Sequence, residues 1–403
     1  MTTYDFDTIL DRSGTHAIAI DGIGDGGWAP LAPKPGYDAI PMWVADMNFA
    51  APACITDALV RRASHPAFGY TNVPDECYDK VAAWHARRKG VTDVTRECLG
   101  YENGVLGGVA SALAAFTAPG DPVLLNSPTY IGFTETLEAM GRRMVLSPLR
   151  RDESGTWRMD FDDMDRLLAE NHIHAVVFCS PHNPTGRVWE RWELEQAMAL
   201  FEKHQCVVVS DEIWSDLIMP GHAHVATQSV SPWAHENTVA LYAPSKTFNL
   251  AGLVGSYHVV YDRRLRERMG SVSVATMYNH PNILSVEALM GAYTDEGAEW
   301  LDQLLQVLQR NRDLACDRIG ERFEGVSCFR PEGTYMLFLD CAGWLKEHGK
   351  TLPELERAGW DVGVAWQDGG QFFGPTHIRM NLALPTSRVE EAFDRLDRLV
   401  FNA

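Results

Sequence analysis

Lys246 lies in Ala243-Pro244-Ser245-Lys246-Thr247-Phe248-Asn249. Upstream stand Asn183, in Ser180-Pro181-His182-Asn183-Pro184-Thr185-Gly186, and Asp211, closing Val207-Val208-Val209-Ser210-Asp211. Taken singly, each has an ordinary reading. A lysine is most often a solvated charge. Asp211 reads as a cap for a helix from 212 onward, and Asn183 as a turn before Pro184 and Gly186. In this order they form a different set: an amide, an acid after an apolar strand, and a lysine flanked by hydroxyls. A lysine ε-amine condenses with an aldehyde to a Schiff base and, once displaced, becomes a base beside a Cα proton. A buried aspartate needs a cationic or donor partner, and a protonated pyridine nitrogen is one. The asparagine amide can donate to a phenolate oxygen and to a substrate carboxylate. The set reads as a site for pyridoxal 5′-phosphate (PLP).

Further residues extend it. Ser245 and Thr247 offer hydroxyls to a phosphate. The turn Tyr101-Glu102-Asn103-Gly104-Val105-Leu106-Gly107-Gly108 opens a helix, whose N-terminal N–H groups suit the same anion. It is not the GxGxxG of a dinucleotide fold. Tyr130, in Ser127-Pro128-Thr129-Tyr130, either stacks on a pyridine ring or is a core tyrosine. Arg379 sits in a late apolar strand and needs an anion, either a substrate α-carboxylate or an internal salt bridge. The HxH pairs His172/His174 and His222/His224 lack an acidic or cysteine cluster of suitable spacing, so no metal site is expected.

The elements that must position these groups follow from the apolar runs. Residues 121–126, 174–179, 206–210 and 238–242 read as strands, separated by helical periods such as 191–201. Alternation of this kind implies a mostly parallel sheet covered on both faces. Ligands bind such sheets at the carboxyl ends of the strands, and Asn183, Asp211 and Lys246 each follow one. Residues 1–50 form a Gly- and Pro-rich arm that packs on the small domain and the active-site cleft. Residues 51–288 form the large cofactor-binding domain. Residues 289–403 form a smaller α+β domain, with a long helix through 299–308, strands in 333–339 and 377–382, and a terminal helix over 389–401.

Bulk properties bound the partners. A chain of 403 residues exceeds the usual single core, and 22% charged residues fit a soluble globular protein. The net charge of −19 argues against a nucleic-acid partner. The uncharged run 103–120 is Gly-rich and ends at Pro119-Gly120, which favours a buried helix over a membrane span. The eight cysteines include no CxxC pair and read as reduced thiols of a cytoplasmic protein. The N-terminus shows no signal-peptide pattern.

Together these motifs resemble the fold-type I PLP enzymes of the class I/II aminotransferase superfamily, and more closely its MalY/PatB group of cystathionine β-lyases. Met42-Trp43-Val44-Ala45-Asp46-Met47-Asn48-Phe49, Phe68-Gly69-Tyr70, Pro331-Glu332-Gly333-Thr334-Tyr335 and His377-Ile378-Arg379-Met380-Asn381 match that group's markers, with Asn48 in place of its aspartate. Trp214 and Ser215 stand where the group often has a histidine-containing segment. The resemblance implies that Lys246 carries the cofactor, Asp211 pairs the pyridine nitrogen, Asn183 bonds the phenolate oxygen and Tyr130 stacks on the ring. It implies that Val105 and Leu106 give backbone N–H groups to phosphate, and that Arg379 binds the carboxylate of an amino-acid substrate. It also implies a homodimer with shared active sites, Tyr70 reaching the neighbouring subunit's phosphate. The implied reaction is β-elimination from cystathionine or a related cysteine conjugate, giving a thiol, pyruvate and ammonia. An aminotransferase, and a PLP-binding regulatory protein with little turnover, remain as alternatives.

Overall fold

The structure, a computed structural model, describes residues 2–277 and 279–402. Its centre is a seven-stranded sheet. The spatial order is Leu99–Glu102, Ser256–Val259, Thr238–Tyr242, Val207–Asp211, Ala175–Cys179, Pro122–Ser127 and Arg143–Pro148. Ser256–Val259 runs antiparallel to both its neighbours, and the strands from Thr238–Tyr242 outward are parallel. The expected strands lie within a residue or two of these bounds.

Alternate side chains of each strand feed opposite faces. Val123, Leu125, Val177, Val209 and Leu241 pack beneath the helix Val105–Phe116. Leu124, Val176, Phe178 and Val208 pack against Met164, Leu168, Leu194, Met198 and Phe201 of the helices Phe161–Asn171 and Arg191–Lys203. Full burial of each such side chain stabilises by about 1.5–3 kcal/mol. The uncharged run is therefore a helix inside the protein. It lies so close to the sheet that a Cβ at Gly108 would meet Leu241 Cδ2 at 2.5 Å.

The smaller sheet is antiparallel, in the order Ser327–Cys328, Met336–Asp340, His377–Asn381, Gln367–Asp368. Leu337, Leu339, Ile378 and Met380 face the helices Asp295–Arg322 and Thr386–Leu396 through Ala315, Ile319, Val389 and Phe393. The 28-residue helix is longer than the pattern through 299–308 indicated, because Thr294 caps it by accepting from Gly297 N–H and acidic residues fill its first turn. The terminal helix ends at Leu396 and passes into a π turn over Asp397–Phe401. There the buried Asp397 accepts from Arg322 and Asn402. From the arm, Ile40–Pro41 pairs in parallel with Val364–Ala365, and the stretch beyond runs along the cleft.

One buried ion pair ties the elements beneath the cleft. Lys89 Nζ lies 2.6 Å from Asp216, with both side chains almost wholly buried. Trp84 Nε1 and Thr247 Oγ1 also donate to that carboxylate. Removing one partner of such a pair strands the other charge. Lys89→Met should therefore destabilise the protein by about 3–5 kcal/mol in denaturant titration. The double variant Lys89→Met/Asp216→Leu should recover much of that loss, and equal losses in both would show that the pair is not what matters.

Candidate active site

The parallel strands end in one place. A cavity of about 190 Å³ is lined by Val105, Leu106, Tyr130, Asn183, Asp211, Trp214, Ser245 and Lys246, with Ala45 from the arm. Asp211 is the last residue of its strand; Lys246, Asn183 and Tyr130 stand in the loops after three others. Each is placed by the turn that follows a buried strand.

Lys246 Nζ donates to the carbonyl oxygen of Ala45 at 2.8 Å and lies 5.6 Å above the Trp214 ring. Burial, helped by the positive charge of Arg379, lowers its pKa to about 8. Asp211 is raised to about 7, chiefly by burial, against a single backbone donation from Ile213 N–H at 3.0 Å. No helix begins at 212; a turn follows, so Asp211 is not a helix cap. Its carboxylate is left for a donor that enters the cavity.

Arg379 reaches the cleft from the small sheet. It donates to Asn183 Oδ1 at 3.4 Å, to the Trp43 carbonyl at 3.1 Å and to Gln367 Oε1, and it lies 4.2 Å above the Phe372 ring. Burial lowers its pKa to about 10. Among the described residues it has no carboxylate partner, and its Nε is buried without an acceptor. The internal salt bridge is absent, which leaves a fork-shaped cation for an incoming carboxylate.

The helix Val105–Phe116 points its N-terminus at the cavity. Gly104 precedes it with φ +77°, a conformation that favours glycine. The first helical N–H groups, at Val105 and Leu106, have no partner within the helix and suit a phosphate. Ser245 joins them on the cavity wall. Thr247 does not: it is fully buried and turned toward Asp216, because that carboxylate needs its donors. Tyr70 stands fully exposed and outside the cavity. Among the described residues no group of His, Cys, Asp and Glu is placed to hold a metal ion; His224 instead meets Glu212 at 2.8 Å.

The residues present fit PLP. A buried acid and an amine of lowered pKa line the same cavity and suit a pyridinium and an aldehyde, and a helix N-terminus with a hydroxyl can take the phosphate. Several contributors carried no readable signal as pocket residues. The Ala45 carbonyl holds Lys246 and also accepts from Tyr335 at 2.9 Å. Asn381 bonds the carbonyls of Val44 and Asp46, and Asn249 that of Met47, which fixes this loop over the lysine. Gln367 and Phe372 frame Arg379 from short segments with no pattern of their own. The Met42–Phe49 and Tyr335 stretches stood out only as family markers.

The family model for aminotransferases of class I and II matches residues 39–396. The cystathionine beta-lyase PatB of Bacillus subtilis is 32% identical over 97% of this chain and 98% of its own. Cystalysin from Treponema denticola, whose crystal structure contains a pyridoxal 5′-phosphate cofactor, superposes with a TM-score of 0.90 at 28% identity over the whole of both chains. A PLP-bound putative aminotransferase from Clostridium difficile superposes with a TM-score of 0.89 at 32% identity, covering 98% of this chain and 99% of its own.

The raised acid has a consequence for stability. Between its ordinary pKa of 3.8 and about 7, the folded state binds a proton at Asp211 that the unfolded state has released. Stability is therefore lost as pH rises through that window. In ligand-free protein, Asp211→Asn should melt above the parent at pH 8, by about 2–4 kcal/mol in stability. The gap should close toward pH 4. A constant gap across that range would mean that Asp211 ionisation is not its source.

Proposed function

The chain belongs to the class I and II aminotransferase family, and from that premise we propose that it is a PLP-dependent carbon–sulfur β-lyase. Its substrate is L-cystathionine or a related cysteine conjugate, and its products are a thiol, pyruvate and ammonia. The observation that carries the reading is a buried lysine of lowered pKa that shares its cavity with a buried acid, near a buried arginine that has no carboxylate partner among the described residues. When bound, PLP supplies an aldehyde for amines and a ring that accepts electron density from the substrate Cα.

The chain's own residues do the rest. Val105 and Leu106 would hold the phosphate through their N–H groups, and Ser245 through its hydroxyl. Asp211, as carboxylate, would keep the pyridine nitrogen protonated, Asn183 would donate to the phenolate oxygen, and Tyr130 would offer its ring for stacking. Arg379 holds the substrate carboxylate through its fork, oriented by Gln367, Trp43 and Phe372. Near neutrality a lysine of pKa about 8 has an appreciable unprotonated fraction. With its amine free, Lys246 would take the substrate Cα proton and could return it to the departing sulfur. The Cβ–S bond then breaks, the sulfur leaves as a thiol, and hydrolysis of the three-carbon remainder gives pyruvate and ammonia. PatB, by its name, is a lyase of this type, which supports the reading.

A division of the chain near 50 and 288 is supported by two main sheets bridged by a long helix, although 288 itself lies inside the helix Ile283–Ala292, so the break belongs after that helix. A homodimer with shared sites fits the exposed segment through Phe68 and Tyr70, which would carry Tyr70 to the neighbouring subunit's phosphate. A cytoplasmic location fits eight free thiols. Among the described residues no helix is long and apolar enough to cross a membrane.

The test is product analysis with L-cystathionine and PLP, without a keto acid. Pyruvate, ammonia and thiol should form in equal amounts, and Lys246→Ala should abolish all three. Turnover only when a keto acid is added would make the protein an aminotransferase, and a bound cofactor with no product under either condition would point to the regulatory reading.

A further inference from the structure

Cys316 and Cys328 take no part in the chemistry described above. Cys316 lies on the buried face of the helix Asp295–Arg322, and Cys328 closes Ser327–Cys328, an edge strand of the small sheet. The turn between them brings the strand back along the helix. The two sulfurs stand 3.6 Å apart, each a free thiol. A disulfide needs an S–S distance of about 2 Å, so the two sulfurs, already in contact, have only to close that gap.

We propose that Cys316 and Cys328 form a two-thiol oxidation site that reacts with a hydroperoxide and closes to a disulfide. Cys328 is the attacking group, being only partly buried where Cys316 is buried. Its thiolate attacks one peroxide oxygen; the O–O bond breaks, an S–O bond forms, and the other oxygen leaves as water or alcohol after taking a proton. Cys316 sulfur then attacks Cys328 sulfur, the S–O bond breaks, and the hydroxyl leaves as water with the Cys316 proton. Two thiols lose two electrons and the peroxide gains them.

The surroundings favour this order. The neighbouring Cys316 thiol, then the guanidiniums of Arg330 and Arg151, hold the Cys328 thiol below its ordinary range against the effect of burial. Cys316 itself is pushed up by its partner sulfur and by burial. Thiolate character is what makes a cysteine reactive. Cys77 and Cys206, by contrast, are buried with pKa values pushed up to about 11 and about 12, which marks them as inert. Closure would pin the edge of the sheet that carries Arg379 to the helix that joins both parts of the protein. Disulfides in reducing compartments are mostly transient and redox-sensing.

Holoenzyme titrated with hydrogen peroxide, alkylated and mapped by peptide mass spectrometry tests this. Cys316 and Cys328 should lose alkylation together and yield one linked peptide pair, at roughly ten-fold less peroxide than Cys77 or Cys206 requires. Equal protection of all four, or no linked pair, would overturn the proposal without any variant being made. In Cys316→Ser a 1,3-dione should trap oxidised Cys328. Trapping at Cys316 in Cys328→Ser, with none at Cys328 in Cys316→Ser, would overturn the assigned attack.

Discussion

Three ionisable side chains are buried close together, Lys246 and Asp211 in the cavity wall and Arg379 behind the cavity residue Asn183, and none of the hydrogen bonds described joins any two of them. Burial without a partner is costly for a charge, and here it shows as a lysine and an arginine shifted down and an aspartate shifted up. Were they paired with each other, the site would be more stable and chemically closed. The protein instead holds each by neutral groups: a carbonyl for the lysine, a backbone N–H for the aspartate, and amides, a carbonyl and a ring face for the arginine. The unmet interactions are the ones a charged ligand with a basic ring nitrogen and a carboxylate can complete.

The rest of the architecture keeps that arrangement in place. The parallel strands deliver Tyr130, Asn183, Asp211 and Lys246 to one edge, each behind a run of fully buried apolar residues. The arm then lays the Ala45 carbonyl over the lysine, fixed by Asn249, Asn381 and Tyr335. The Lys89–Asp216 pair orders the underside of the cleft and draws Thr247 away from it. Arg379 comes from the other sheet, so the site is complete only when both parts of the chain are docked.

Much of this is legible in the sequence, and the illegible part has a physical reason. The central strands are continuous runs of β-branched and apolar residues, such as Val207–Val209, and turn-forming residues follow them, so both the sheet and the residues at its carboxyl edge can be read. The strands Leu99–Glu102, Ser256–Val259 and Arg143–Pro148 carry no clear strand pattern, because each mixes polar groups into a short run at or next to a sheet edge. Lys246, Asp211 and Asn183 carry their chemistry in their side chains. The Ala45 carbonyl carries none in its residue type, and Gln367 matters only because a strand pairing sets it beside Arg379. Thr247 offers a hydroxyl beside Lys246 in sequence but not in space: its neighbour faces the cavity while its own partner, Asp216, lies beneath it. Contacts made across the fold leave no local trace.

The central claim is that the buried amine of Lys246 is where the cofactor attaches. Borohydride reduction of the PLP-loaded protein, followed by proteolysis and mass spectrometry, tests it directly. The account predicts one pyridoxyl-modified peptide, that carrying Lys246. Modification of another lysine such as Lys89, or none at all, would contradict it.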